Sequence, residues 1–288
     1  MDYEKVLKDF EEFLQNYPLD FEGFHPYFQK AFWEMLLNGG KRFRPALLLA
    51  VVESYAPVLL KNAFLPALAL ECLHTYSLIH DDLPCMDNAD LRRGHPTLHK
   101  TYDITTATLV GDGLNTFSFY LLTQARLSPE NKLKMIEVLS TNGGVGGMII
   151  GQAMDCYFEN QKLPLEKLYL IHLNKTAKLI ATSLYMGGLV VNLDQKSLHN
   201  LYNFGITLGI FFQVRDDIID CVHTQEEAGK TTQNDSYKNS YVNLLGLDGA
   251  RDELKRLKET LLQEMEKFPE KLQQNLQWLL KKYFKDEI

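Results

Sequence analysis

Residues 67–87 read ALALECLHTYSLIHDDLPCMD. Apolar side chains cover most of the circumference of a helix over positions 67–80, so this stretch is expected to be enclosed by other helices. It ends on carboxylates. Asp81 and Asp82 close the apolar run, and Pro84 disfavours further helix, which predicts a loop that swings Asp87 back toward Asp81. A second stretch of the same character, NFGITLGIFFQV at 203–214, runs into RDDIID and places Asp216 and Asp220 one turn apart on a shared face. Like charges at that spacing cost about 0.2–0.5 kcal/mol per pair. Carboxylates gathered this densely therefore call for a cation between them.

Outward from these two stretches, apolar residues recur at helical spacing over about 27–37, 45–55, 61–82, 103–126, 130–158, 165–190 and 195–222, and in a charged tail at 249–285. Repeated strand alternation is missing. The fold class is all-α, a helical bundle of about ten or more helices with 67–80 and 203–214 at its centre. Breakers fall at Gly39–Gly40, Pro84, Gly94–Pro96 and Gly229. With 288 residues, 45% hydrophobic, and no linker rich in Pro, Gly or Ser, a single domain over 1–288 is expected. The net charge of −7 argues against binding a nucleic-acid backbone. Cys72, Cys85, Cys156 and Cys221 form no CxxC pair, which fits reduced thiols in a cytoplasmic protein better than disulfides or zinc. The acidic, amphipathic start MDYEKVLKDFEEF is unlike a secretory signal, and no apolar run reaches membrane-span length.

Oxygen donors without a neighbouring Cys/His set point to a hard cation. Magnesium takes only one or two carboxylates per ion and completes its shell with water and phosphate oxygens, so the aspartates suggest a diphosphate site held through metal. An exposed acidic helix end produces a lone DDxxD without function, but here there are two, and basic runs accompany them. GGKRFRP at 39–45 and LRRG at 91–94 supply Lys41, Arg44, Arg92 and Arg93, which suit a second, metal-free diphosphate pocket because guanidinium groups grip such oxygens in pairs. A solvated loop is the plainer account, but both runs abut breakers and apolar helices. His74 lies seven residues before Asp81 and shares its face, as a ligand or as a core histidine bonded to a carbonyl. His80 and His95 are read as structural, and Asp112 as a helix-end or supporting polar group.

Taken in order, GGKRFRP, HTYSLIHDDLPCMDNADLRRGHPT, GDGLNTFSFYLL, GQAMD, NKTAKLI, FFQVRDDIID and Gly229–Lys230 resemble the short-chain (E)-polyprenyl diphosphate synthases, and among them the bacterial farnesyl diphosphate synthases. The resemblance implies the isoprenoid synthase fold around a central hydrophobic cavity, a homodimer, and Mg2+, with three ions per site. Asp81 and Asp87, supported by Asp82, and Asp216 across the cavity would bind the ions, with Asp217 and Asp220 acting partly through water. Arg92, Lys175 and Lys230 would hold the allylic diphosphate; Lys41, Arg44, His74 and Arg93 would hold isopentenyl diphosphate. Thr176, Gln213 and the Lys175 carbonyl would face the allylic cation, and Gln152 and Asp155 would line the cavity wall. The released diphosphate would take the final proton, so no side-chain base is assigned.

Tyr76, five residues before Asp81 and about 7.5 Å deeper along the helix, is positioned by that spacing to form the cavity floor with Ser77 beside it, and the resemblance implies that an aromatic there blocks the growing prenyl chain, at fifteen carbons in the farnesyl-forming pattern. An ordinary core tyrosine is the plainer account. Two positions depart from the family pattern: Asn88–Ala89 replace further acids, and Ala177 stands where glycine is common. The implied reaction is head-to-tail condensation of isopentenyl diphosphate with dimethylallyl and geranyl diphosphate. A geranylgeranyl or mixed-length synthase is the alternative. A class I terpene cyclase would have no reason to keep two basic runs, a non-catalytic helical subunit should have lost substrate residues, and a di-iron bundle needs Glu-x-x-His pairs that are missing.

Overall fold

Caps and breakers set where the helices of this chain begin and end. The computed structural model describes residues 3–19, 22–228 and 239–284, the side chains of 223–228 apart. In chain order its elements are α1 (Tyr3–Gln15), α2 (Phe28–Leu37), α3 (Phe43–Tyr55), α4 (Leu60–Asp81), the hairpin β1 (Leu91–Arg92) and β2 (His95–Pro96), α5 (Leu98–Thr101), α6 (Ile104–Gln124), α7 (Pro129–Gly143), α8 (Met148–Tyr157), α9 (Leu165–His172), α10 (Lys178–Val190), α11 (Gln195–Ala228), α12 (Tyr241–Met265) and α13 (Glu270–Phe284). Asp103 caps α6 by accepting the Thr106 N–H at 2.7 Å, and Ser128, followed by Pro129, caps α7 through the Asn131 N–H. No helix among the described residues is long and apolar enough to cross a membrane.

Periodicity located the helices but missed several boundaries. The expected helix 130–158 is two, α7 and α8, because the glycines of GGVGG at 143–147 leave helical geometry there. The expected tail helix 249–285 begins earlier, at Tyr241, kinks at Gly246 where φ is +75°, and breaks before Pro269. The 165–190 segment stays helical but widens into a π-turn over Leu173–Ala177. One hairpin, β1–β2, is the strand pairing that alternation did not reveal; it is two residues long on each side, too short to carry a pattern.

The apolar core runs without a break from Val6 and Phe10 in α1 to Phe284 in α13. Within it, α3 is buried from Ala46 to Glu53 and α10 over most of Leu179–Val190, so these two helices join α4 at the centre. The helix α11 is buried on one face, while Asn203 on the other is exposed. It crosses α10 with the two backbones in contact. A Cβ on Gly205 would lie 2.3 Å from the Ala181 Cα, and one on Gly209 would lie 2.3 Å from the Ala177 Cα. Any larger residue there must push the helices apart, and overpacking of this kind costs about 1–3 kcal/mol. Gly209→Ala is accordingly expected to lower unfolding stability by about that amount, measured by urea denaturation, and to depress activity by displacing Gln213 one turn further on.

Candidate active site

The α4 helix delivers its carboxylates to a loop that folds back on itself. The Asp87 N–H donates to the Asp81 carbonyl at 2.9 Å, the Ala89 N–H donates to the Asp82 carbonyl at 3.2 Å, and Asn88 sits at φ +48° to make the return. Asp81 is held from α8, where the Gln152 amide donates to its Oδ1 at 2.6 Å. Burial pushes the Asp81 carboxyl above its ordinary range; Lys175 and Arg92 pull it down, while Asp87 and Asp82 push with burial. Asp82 differs. Its side chain is buried, its Oδ1 accepts from Arg92 Nε at 2.9 Å, and its Oδ2 has no hydrogen-bond partner. Burial raises its carboxyl too, against the pull of Arg92. The expected supporting metal ligand is thus engaged as the anchor of an arginine.

Both arginines of LRRG come from one tight turn. Residues Arg93 and Gly94 link β1 to β2 at φ +55° and +80°, the left-handed pair that a two-residue hairpin loop requires. From that turn Arg92 reaches Asp82, and Arg93 donates to the Gly39 carbonyl at 2.6 Å. The Arg93 guanidinium lies over Gly40, where a Cβ would come within 2.6 Å of its Cζ. Gly40 itself is at φ +128°. The segment carrying it is fixed by Arg42, whose buried guanidinium donates to Glu11 in α1 at 3.0 Å, to Glu71 in α4 at 2.9 Å and to the Leu36 carbonyl. Sequence reading gave Glu71 no role. Its signal was a lone acid within an apolar helix.

A cavity of about 590 Å3 opens between this segment, α4, α10 and α11, lined by Lys41, Arg44, His74, Arg93, Ile180 and Phe212 among others. Arg44 Nη1 donates to His74 Nε2 at 3.2 Å, which leaves the imidazole proton on Nδ1. Arg44 Nε is buried without a partner. Burial draws the Arg44 guanidinium down to about 10, Glu71 opposing and Arg93 adding, so the group is charged at neutral pH. Burial, and then Arg44, Arg93 and Arg92, drive His74 well below its ordinary value, so it is neutral. Three charged groups and a neutral imidazole facing one cavity are suited to a polyanion.

The π-turn of residues 173–177 bridges α8 and α11. There Lys175 Nζ donates to Asp155 of α8 at 2.6 Å; burial works against its charge, but Asp155, Asp81 and Asp87 together hold it above the ordinary lysine value. The next residue, Thr176, donates its hydroxyl to Gln213 Oε1 on α11 at 2.6 Å, three residues before Asp216. A π-turn is a common device where helical residues must be re-aimed at a site. Asp216 is half-buried with Arg215 at 3.8 Å, and Asp220 is exposed. Asp217 accepts the Tyr241 N–H at 2.7 Å and so ties α11 to the start of α12. Lys230 lies outside the described residues.

Ser77 is half-buried and donates to the His74 carbonyl at 2.8 Å. Tyr76 is buried and meets His80 edge to face; it is not among the residues that line the basic cavity bordered by His74 and Leu78. Among the described residues no three His, Cys, Asp or Glu side chains form a ready cage for an ion. The donor set nevertheless fits magnesium, which needs few protein carboxylates: Asp81 and Asp87 are hard oxygen ligands whose mutual repulsion an ion relieves.

The chain matches the family model described as Polyprenyl synthetase over residues 25–279. It is 42% identical to the farnesyl diphosphate synthase of Bacillus subtilis over 231 residues, 78% of each chain. It is 40% identical to a chloroplastic geranylgeranyl pyrophosphate synthase of Capsicum annuum over 238 residues, 81% of this chain and 64% of the other. Among solved structures, a Helicobacter pylori geranyltransferase complexed with magnesium and isoprenyl diphosphate is 52% identical, covering 98% of this chain and 96% of that one with a TM-score of 0.90.

The depressed His74 value makes a prediction about stability. A folded-state value below the unfolded value of about 6.5 means that His74 contributes stability above that pH and loses it as pH falls toward the folded value. Wild-type protein should therefore lose more stability than His74→Gln between about pH 7.5 and pH 5.5, read as the shift in urea midpoint; equal shifts would contradict a neutral, buried imidazole.

Proposed function

Because the chain belongs to the polyprenyl synthetase family and is a prenyltransferase, we propose that it condenses isopentenyl diphosphate with dimethylallyl diphosphate and then with geranyl diphosphate, giving farnesyl diphosphate. The observation that carries this reading is the pairing of an acidic subsite at Asp81 and Asp87 with a separate basic cavity at Arg44, His74 and Arg93. Two anionic substrates need two such places.

In this reading Lys41, Arg44, His74 and Arg93 bind isopentenyl diphosphate. The basic cavity carries its own counter-charge for that diphosphate, with no ion required. Asp81, Asp87 and Asp216 would hold Mg2+, three ions in all, with Asp220 acting through water. Bound magnesium would neutralise the allylic diphosphate and make it a better leaving group. Lys175, kept protonated by Asp155, Asp81 and Asp87, and Arg92, anchored on Asp82, would hold the same leaving group, with Lys230 assigned to it from the sequence alone. Heterolysis of the allylic C–O bond leaves a carbocation. The oxygens of Thr176 and Gln213 present fixed dipoles to it without reorganising at the moment of reaction. The isopentenyl double bond then attacks, a C–C bond forms, and the proton lost from the new cation passes to the released diphosphate.

A second copy of the chain is proposed to cover the exposed apolar faces of α6 and α8, which carry Leu109, Tyr120, Ile149, Ile150 and Tyr157. Four cysteines without a disulfide suit a reducing, cytoplasmic setting. A geranylgeranyl-forming enzyme is the second reading, favoured by the 40% identity to the Capsicum annuum protein.

Incubation of the purified protein with isopentenyl diphosphate and, separately, dimethylallyl, geranyl and farnesyl diphosphate decides between them. The first two should be extended in the presence of Mg2+ and the third scarcely at all; efficient extension of the third selects the second reading. Asp81→Ala or Asp216→Ala should each depress turnover by orders of magnitude with helical content retained, as judged by circular dichroism. Tyr76→Ala should shift products beyond fifteen carbons, and an unchanged profile in an active variant would reject Tyr76 as the floor.

A further inference from the structure

The α4 helix carries one histidine that the proposed reaction leaves unused. His80, directly before Asp81, turns away from the cavity and packs on α6. Its Nε2–H donates to the Thr108 carbonyl at 3.0 Å, which fixes the ring, and Asp112 Oδ1 stands 3.8 Å from the same nitrogen. The ring occupies a notch that exists because residue 111 is glycine. A Cβ there would lie 2.1 Å from His80 Nε2 and 2.3 Å from its Cδ2. On its other side the imidazole meets Tyr76, one turn earlier, edge to face, with centroids 5.7 Å apart and planes at 83°. Tyr76 is only 6% exposed, so its ring position is set by what it packs against.

We propose that His80 is a positioning residue for product length: clamped to α6 at Thr108 and Gly111, it holds the Tyr76 ring where that ring stops the growing prenyl chain. The inference rests on Tyr76 being the cavity floor. With the imidazole gone, the phenol gains room to swing toward α6 and the floor opens. Each further round then joins one isopentenyl unit, forming one C–C bond, breaking one allylic C–O bond and releasing one diphosphate and one proton. A histidine that merely glued α4 to α6 would affect melting temperature and leave the product ratio alone.

The experiment compares wild type, Tyr76→Ala, His80→Ala, the double variant and His80→Phe, each supplied with isopentenyl and geranyl diphosphates, with C20 and C15 products quantified and melting temperatures recorded alongside. His80→Ala should raise the C20:C15 ratio severalfold, the double variant should match Tyr76→Ala, and His80→Phe, which keeps an aromatic edge in the notch, should retain the wild-type ratio. If Tyr76→Ala lengthens products and folded His80→Ala does not, the buttress is wrong and the floor stands. If Tyr76→Ala changes nothing, the floor fails and the buttress with it. Additive lengthening in the double variant, or equal lengthening in His80→Phe and His80→Ala, would also overturn the proposal. Should His80→Ala not fold, Gly111→Ala evicts the imidazole from its notch with the histidine retained; the ratio should move, and a wild-type ratio would refute the inference.

Discussion

Two consecutive arginines that leave one turn for different partners organise the charged end of this molecule. Arg92 is fastened to Asp82 and Arg93 to the Gly39 carbonyl. Their divergence comes from a two-residue hairpin loop with left-handed dihedrals at Arg93 and Gly94. The hairpin has no core of its own and is too short to be stable alone. It is pinned instead from both sides, by the carboxylate at the end of α4 and by the glycine segment before α3. Loosening either contact would mix the acidic and basic subsites that the proposed chemistry needs apart.

The charges so separated are left incompletely compensated, and burial sharpens the effect. Asp81 is pushed above its ordinary range, Asp82 keeps an oxygen without a partner, and Arg44 keeps a buried Nε without one. An unsatisfied buried polar group typically costs about 1–3 kcal/mol. Groups of this kind are tolerated where a ligand supplies the missing partner, and in a low-dielectric pocket the same groups act on that ligand more strongly than in water. By contrast Arg42, which faces the same region, is fully matched by Glu11, Glu71 and the Leu36 carbonyl. Arg42 and Arg44 both border the cavity, but the matched arginine builds the segment while the other keeps one donor, Nε, without a partner.

This division could not be read from GGKRFRP as a string, since Arg42 and Arg44 are chemically alike there. Only the partner residues, Glu11 and Glu71, distinguish them, and both lie far away in sequence. The all-α class was legible because apolar spacing of 3.6 extends over segments far longer than any strand, and the aspartate clusters were legible because their density is improbable without a cation. The π-turn at Leu173–Ala177 was not, because a one-residue widening leaves the apolar pattern nearly unchanged. Nor was the buried character of Asp82 or the capping role of Asp217, which depend on which oxygen meets Arg92 and Tyr241. The roles of Gln152 and Asp155, assigned only to a wall, became specific once their partners Asp81 and Lys175 were known.

The helix α4 does much of this work because its turn of 3.6 residues gives it separate faces along one rod. Glu71, His74 and Leu78 fall on one side and border the basic cavity. Tyr76 and His80 fall on another, edge to face with each other, and His80 is bonded to Thr108 of α6. Asp81 emerges at the end, where Pro84 has already stopped the helix. Because these faces belong to one rigid element, the spacing between the basic cavity, the Asp81 carboxylate and the packing against α6 is fixed by helix geometry and not by loops. That rigidity has a corollary. A substitution that rotates or tilts α4 changes all of these distances together, whereas one on the hairpin changes only the separation of charge.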